Sequence, residues 1–268
     1  MIEDKFNRLK KILSEMESVL VAFSGGVDST FLLKAAKDNL PGKIMAVTAI
    51  SASFTEKELK RAKELVKLFG VKHVFVHSNE LDDEKFTSNP PDKCYYCKKG
   101  RFSKLVELAE ENNLNYVIEG ANIDDLSDFR PGMKAVEELG VRSPLKEAGL
   151  TKKEIRELSK DMDLVTWNAS SQACLATRIA LGTTITRERL KRVESAEDFI
   201  TGLLDLEQLR VRDHDGIARI EVPKNDVYKF FKENISEKIA THLKTLGYKY
   251  VSLDLEGYRT GSMNEHLP

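Results

Sequence analysis

The stretch Val19–Thr30, VLVAFSGGVDST, constrains the fold of this chain more than any other. The apolar run Val19–Phe23 reads as a buried strand. Two glycines follow, and then Phe31, Leu32, Ala35 and Ala36 recur at helical spacing. A strand that passes through paired glycines into a helix is the opening unit of a parallel sheet, because parallel strands need crossover helices. The alternation continues. Lys43–Ala49 and His73–His77 read as strands, Thr55–Phe69 and Arg101–Asn112 as helices, and Tyr116–Glu119 as a short strand. The expected fold class is α/β, a parallel doubly wound sheet. Right-handed crossovers place the strand C-terminal ends, and the loops after them, along one edge.

Thr151 and Glu154 have the spacing of a capping box and open a helix to Asp161. The pattern changes near Gly182. Arg187–Thr201 reads as a long charged helix. Leu209–Arg212 and Ala218–Val222 read as strands around the tight turn DHDG. Helices over Val227–Asn234 and Ser236–Leu246 and a strand over Tyr250–Leu255 complete a smaller C-terminal α+β domain. We therefore expect two domains, residues 1–180 and 181–268, within a length of 268 that suits two cores. Trp167 reads as a core residue. Net charge is −1, which argues against nucleic acid as the partner. No apolar run reaches membrane-span length and the charged N-terminus has no secretory pattern, so the expected location is cytoplasmic.

The glycine turn has a chemistry of its own. Gly25 and Gly26 let backbone N–H groups converge without Cβ obstruction. Val27 and Asp28 open the following helix, whose positive end favours an anion. Ser24 and Ser29 add hydroxyls. Asp28 repels phosphate unless a cation bridges the two, so its natural role is to hold Mg²⁺. The bland alternative is a strand-to-helix turn with no ligand. The turn also lacks the Gly-Lys-Ser/Thr ending of the common nucleotide loop.

Three cysteines, too few for a disulfide framework, are the other candidates. Cys94 and Cys97 stand at CxxC spacing in DKCYYCKKGRF, and Cys174 lies in SSQACLATR. Three thiolates suit three irons of a [4Fe–4S] cluster. A Cys₃His zinc site and a redox pair are the rivals, and spacing alone leaves the three level. None of the five histidines stands at an obvious ligand spacing.

SGGVDS after a first strand resembles the signature of the PP-loop ATP pyrophosphatases, which share an adenine nucleotide alpha hydrolase-like fold. The resemblance implies that the turn holds the pyrophosphate of ATP and that AMP passes to a substrate oxygen. It implies adenosine contacts from Thr48 and Ser51 in TAISASF, and nucleotide or metal contacts from Gly120 and Asp124 in EGANIDD. For Asp124 and Asp125 a solvated loop or helix cap is the alternative. GANIDDLSDFRPGMKAVEELGVRSPL, SSQACLATRIALG and LRVRDHDGIARIEV resemble the LarE family of pyridinium-3,5-bisthiocarboxylic acid mononucleotide synthases over nearly the whole chain. That resemblance implies a small mononucleotide substrate whose carboxylates are adenylated and then attacked by sulfur. It implies a homo-oligomer, and a C-terminal domain for sulfur transfer and substrate binding.

The family supplies sulfur in two ways. Either a cysteine matching Cys174 gives up its own sulfur, or three cysteines matching Cys94, Cys97 and Cys174 hold a [4Fe–4S] cluster reloaded by a sulfide or persulfide donor. The CxxC pair departs from the single-cysteine form and favours the cluster. Arg210 and Arg212 alternate along a strand and share a face, which with the resemblance suits a substrate phosphate. Arg178 suits either phosphate or thiolate. Lys98 and Lys99 read as solvated charges. The competing functions are a PP-loop tRNA thiolase, a non-catalytic nucleotide-binding regulator and an NAD synthase-like ligase. The first conflicts with the charge, and the last leaves the cysteines without a role.

Overall fold

A computed structural model describes residues 1–127, 131–169, 174–206, 208–259 and 262–264. Residues 128–130 of the Asp-Phe-Arg-Pro-Gly segment and residues 170–173 before Cys174 lie outside the described residues. In chain order the elements begin α1 (Ile2–Ser14), β1 (Val19–Ala22), α2 (Val27–Asn39), β2 (Ile44–Ile50), α3 (Glu56–Phe69) and β3 (Lys72–His77). Next come α4 (Glu84–Thr87), α5 (Lys93–Glu111), β4 (Tyr116–Ile118), α6 (Pro131–Glu138), α7 (Pro144–Glu147) and α8 (Lys152–Asp161). The chain continues through α9 (Arg187–Leu203), β5 (Arg210–Asp213), β6 (Ile217–Glu221), α10 (Ile235–Thr245) and β7 (Tyr250–Leu253). The chain divides into two compact units, Met1–Glu80 with Asp92–Ser171, and Leu81–Pro91 with Gln172–Pro268.

The first unit is a parallel sheet in the order β3-β2-β1-β4. Both faces are covered, and β1 shows why. Val19 and Val21 point into a core built with α1, α2, α3, α7 and α8, through Leu9, Phe31, Leu65, Leu145 and Ile155. Leu20 points the other way, into a core with Phe102 and Leu105 of α5 and Val136 of α6. A strand buried on both faces reads as a continuous apolar run, which is how Val19–Phe23 stood out. The observed α5 begins at Lys93, well before the expected Arg101, and so carries the CxxC within its first turns. Trp167 is not core: it is 37% exposed, with the Lys160 ammonium 5.1 Å from its ring centroid.

In the second unit β5 and β6 pair antiparallel around the DHDG turn, and β7 adds parallel to β6. One face packs on α9 and α10 through Val211, Ala218, Ile220, Ala196, Ile200, Ile239 and Leu243. The segment expected as a helix from Val227 is a 3₁₀ run over Lys224–Phe231. The expected boundary at residue 180 also differs from the observed division. Here Gln172 begins the unit, and the distant segment Leu81–Pro91 joins it. Asn89 helps tie that segment in, beside the backbone bond from the Ile185 N–H to the Thr87 carbonyl (2.8 Å). Fully buried and left-handed (φ 58°), it donates Nδ2 to the carbonyls of Ile179 (3.3 Å), Ala180 (2.7 Å) and Thr183 (3.0 Å). A long-range staple of this kind leaves no local sequence signal. Among the described residues no helix is long and apolar enough to cross a membrane.

Candidate functional site

Ser24–Ser29 forms the turn between β1 and α2. Gly25 has φ +73°, and a Cβ there would lie 3.2 Å from the Ala62 Cα of α3. Gly26 caps α2 with no side-chain hydrogen bond, so the first-turn N–H groups of Val27, Asp28 and Ser29 have no intrahelical acceptor. The Ser29 hydroxyl donates to the Gly26 carbonyl (3.3 Å) and lies 3.1 Å from the Ser24 hydroxyl, which accepts from the Gly26 N–H (3.3 Å). The serines therefore brace the loop. Gly120, after β4, lies flush on this turn: a Cβ there would sit 3.1 Å from the Ser29 nitrogen and 3.2 Å from the Asp28 Cβ. Any side chain at 120 would push on the helix start.

Asp28 is the acidic group at the turn. Its Oδ2 is ion-paired with the Lys152 ammonium at the start of α8, while its Oδ1 is buried without a partner. The Lys152 backbone N–H donates to Asp124 Oδ2 (2.8 Å), so Asp124 braces the first turn of α8. Asp125 accepts from the Asn122 N–H (2.9 Å). Thr48 is buried and donates its hydroxyl proton to the Phe23 carbonyl (2.8 Å). The His73 Nε2, 2.8 Å from the same hydroxyl, must then carry the proton it shares. Burial, with the Lys63 charge second, holds His73 below the usual imidazole range. Ser51 is buried 3.0 Å from the Ser53 hydroxyl.

The CxxC pair sits on α5, with Cys94 exposed and Cys97 partly buried. Arg101, one turn on, donates to the Cys97 sulfur (3.4 Å). Lys98 is not a solvated charge: its ammonium pairs with Glu119 (3.4 Å), which also accepts from the Ser143 hydroxyl (2.8 Å). Lys99 does sit at the surface. It bonds Tyr95 and Glu138, and the Tyr95 bond first, then Glu138, pushes its pKa up.

The second unit holds Cys174, exposed, at the start of a 3₁₀ turn over Leu175–Arg178. Arg178 is 4% exposed and donates to both oxygens of Glu197 on α9 (3.0 and 3.2 Å) and to the Cys174 carbonyl (3.1 Å). Arg210 and Arg212 share a face of β5, at 8% and 5% exposed. Arg212 donates through Nε (2.9 Å) and Nη2 (2.7 Å) to Glu221 Oε2 and through Nη1 to the Thr177 carbonyl (3.1 Å). Glu221 is fully buried and also accepts from Arg219 (3.0 Å) and Ser262 (3.0 Å). Arg210 donates to the Leu209 carbonyl (2.7 Å) and lies over the Tyr258 ring. Burial first, and then the Arg178 charge, pushes its pKa down to about 10. Four guanidiniums (Arg178, Arg210, Arg212, Arg219) thus gather around three carboxylates (Glu197, Glu221, Asp254). Buried guanidiniums gathered in this way suit an anion.

The similarity to known proteins is spread along the chain. An uncharacterized protein of Synechocystis sp. is 39% identical over 267 residues, 100% of this chain and 99% of that one. The pyridinium-3,5-bisthiocarboxylic acid mononucleotide synthase of Lactiplantibacillus plantarum is 38% identical over 256 residues, 95% of this chain and 92% of its own. The chain belongs to the LarE family. Within it, residues 9–102 match the Asparagine synthase family, a span that carries the glycine turn. A tRNA-5-methyluridine(54) 2-sulfurtransferase of Pyrococcus horikoshii is 29% identical over 126 residues, 44% of this chain and 39% of its own. The parallel sheet and these matches make the protein an ATP-dependent sulfurtransferase on an adenine nucleotide alpha hydrolase-like fold.

In this LarE-family chain the sequence reading missed Lys152, Glu119, Glu197 and Glu221. The capping box announced α8, but nothing local aims Lys152 at a carboxylate 124 residues away. The two glutamates of the second unit carry no motif. Two arginines alternating on one strand face were the available hint that acids lie opposite them.

Proposed function

We propose that the chain replaces carboxylate oxygen by sulfur in pyridinium-3,5-biscarboxylic acid mononucleotide, giving the bisthiocarboxylate, at the expense of ATP. The relative from Lactiplantibacillus plantarum carries the name of that synthase. The observation that carries the reading is the turn itself: a bare helix start beside a carboxylate with one buried, unpartnered oxygen. The N–H groups of Gly25–Ser29 hold the pyrophosphate, and the Asp28 carboxylate fits Mg²⁺, a hard cation that takes oxygen ligands. When bound, Mg²⁺ neutralises phosphate charge and makes pyrophosphate a better leaving group. Lys152 supplies a positive charge beside Asp28. A substrate carboxylate oxygen bonds to the α-phosphorus and pyrophosphate leaves. Sulfur then bonds to the acyl carbon and AMP leaves.

Arg178, Arg210 and Arg212 bind the phosphate of the mononucleotide. Glu197 and Glu221 hold the guanidiniums in place. For the sulfur we favour Cys94, Cys97 and Cys174 as ligands of a [4Fe–4S] cluster. Their number and type fit three irons, which leaves a fourth open to carry sulfide. Among the described residues no group of three or more His, Cys, Asp or Glu is arranged around one metal. The support is therefore donor chemistry and sequence. The exposure of Cys174 favours a second reading, in which its own sulfur is consumed. The test is anaerobic reconstitution with iron and sulfide, then turnover counting and intact-mass measurement. Repeated turnover, lost in Cys94→Ala and Cys97→Ala while pyrophosphate release persists, supports the cluster. One sulfur per chain, with the protein lighter by the mass of H₂S, replaces it with the sacrificial route.

A further inference from the structure

Beyond the end of β2, the turn Ser51–Phe54 closes on a hydrogen bond from the Phe54 N–H to the Ser51 carbonyl (3.1 Å). It sets Ser51 and Ser53 against Glu80, three residues past the end of β3. All three are buried, at 9%, 4% and 6% exposed. The Ser53 hydroxyl donates to Glu80 Oε1 (3.1 Å) and stands 3.0 Å from the Ser51 hydroxyl. A hydroxyl has one proton, so Ser51 donates to Ser53 and Ser53 to Glu80. Every capacity left over is an acceptor. Glu80 Oε2 is buried with no partner, and Ser51 keeps a lone pair. A buried carboxylate oxygen left open costs stability unless a ligand meets it with a donor.

Its place in the sheet says which ligand. Ile50 pairs with His77, and Ala22 with Val47, so this cluster lies on the same C-terminal edge as the glycine turn. It stands one to two strand spacings away, roughly 5–10 Å. On the other side of the turn the Gly120 backbone lies close against the helix start, where even a Cβ would sit 3.1 Å from the Ser29 nitrogen. A nucleotide with its phosphates on the turn therefore runs its nucleoside toward β2 and β3.

We propose that Glu80, through the one-way chain Ser51–Ser53–Glu80, is a specificity-determining residue that reads a donor of the ATP nucleoside, either the adenine amino group or a ribose hydroxyl. The proposal rests on the turn being the ATP site. The site rejects a ligand with an acceptor at that position, because two acceptors then face each other.

The experiment is calorimetric titration of the full chain with Mg²⁺ and ATP, 2′-deoxy-ATP, 3′-deoxy-ATP or ITP, on wild type and Glu80→Gln. ITP tests the amino group, and the deoxy analogues test the ribose. One of the two kinds should bind wild type about ten- to a hundredfold more weakly than ATP, the range for a hydrogen bond to a charged group. Glu80→Gln, which turns an N–H toward the ligand, should lose as much for ATP and no longer discriminate. The analogue series on wild type needs no variant, so it decides even if Glu80→Gln does not fold. Binding of all four nucleotides to wild type within about twofold overturns the role of Glu80 and leaves the ATP site standing. Discrimination that survives unchanged in Glu80→Gln does the same. Failure of ATP itself to bind wild type removes the ATP site and this inference together.

Discussion

The glycine turn and the arginine cluster are both suited to anions, yet they are built by opposite means. The turn uses backbone. Its positive character comes from unpaired N–H groups at the start of α2, and its one charged side chain is an aspartate. The cluster uses side chains, guanidiniums buried until one of them titrates about 10. A backbone site costs little to leave empty, since peptide dipoles are present in any helix. A site of desolvated charges stores repulsion until its ligand arrives. The first should tolerate changes in charge poorly and in stability well. The second should trade stability against binding.

Asp28→Asn gives the largest effect. The amide keeps the shape and can still accept from Lys152, but it is a poor cation ligand. Pyrophosphate release should fall about a hundredfold or more, while the melting temperature stays near that of wild type. Near-normal release at saturating Mg²⁺ would remove Asp28 from the site. Arg210→Met tests the other half. The mononucleotide KM should rise about thirtyfold and the ATP KM should not move, within the range expected for a charge-assisted contact. Without ligand the variant should lose little stability, since the lost contacts of Arg210 are offset by relief of its crowding against Arg178. Equal effects on both KM values, or a large loss of unliganded stability, would end the contrast between the two sites.

The same contrast explains what could be read from the sequence. A backbone site needs glycines at particular places, and glycines between strand and helix are visible in a row of letters. Gly25, with φ +73°, and Gly120, whose backbone lies close on the helix start, are places where a side chain would strain the turn. The parallel sheet was legible for a similar reason, since each strand is a local apolar run. The arginine cluster was legible only as far as Arg210 and Arg212. Its counter-charges, Glu197 of α9, Glu221 of β6 and Asp254 just after β7, are far apart in the chain, and no spacing rule links them. Lys98 was read as solvated because its partner Glu119 lies on another element. Trp167 reads as core from the sequence, whereas its ring lies at the surface beside Lys160.

Asn89 offers a third way to separate the two regions. It belongs to the second unit by contact alone, 90 residues or more from the carbonyls it serves. Asn89→Ala removes all three bonds and leaves a β-carbon in a left-handed backbone. The loss should be about 2 kcal/mol in a denaturant titration. Mononucleotide binding should weaken with it, while ATP binding, which the proposed function assigns to the glycine turn of the first unit, should hold. If ATP binding suffered equally, the two units would not be energetically separable.

The smallest effect is acid sensitivity, and it divides between the units. His73 in the first and His214 in the second are both held below the usual imidazole range, His73 by burial and then Lys63, His214 by burial and then Arg219. For a base whose folded pKa lies below its unfolded value, the unfolded chain binds the extra proton. Stability is then level above about 6.5 and falls as pH drops from there toward the folded pKa. His73→Gln keeps an N–H to offer Thr48 but cannot titrate, so it should remove the first unit's share of the melting-temperature loss between about pH 7.5 and 5.5. His214→Gln should remove the second unit's share, and the double variant should show the sum, because the two residues belong to separate units. An acid loss that persists in full in the double variant would locate it in the carboxylates instead.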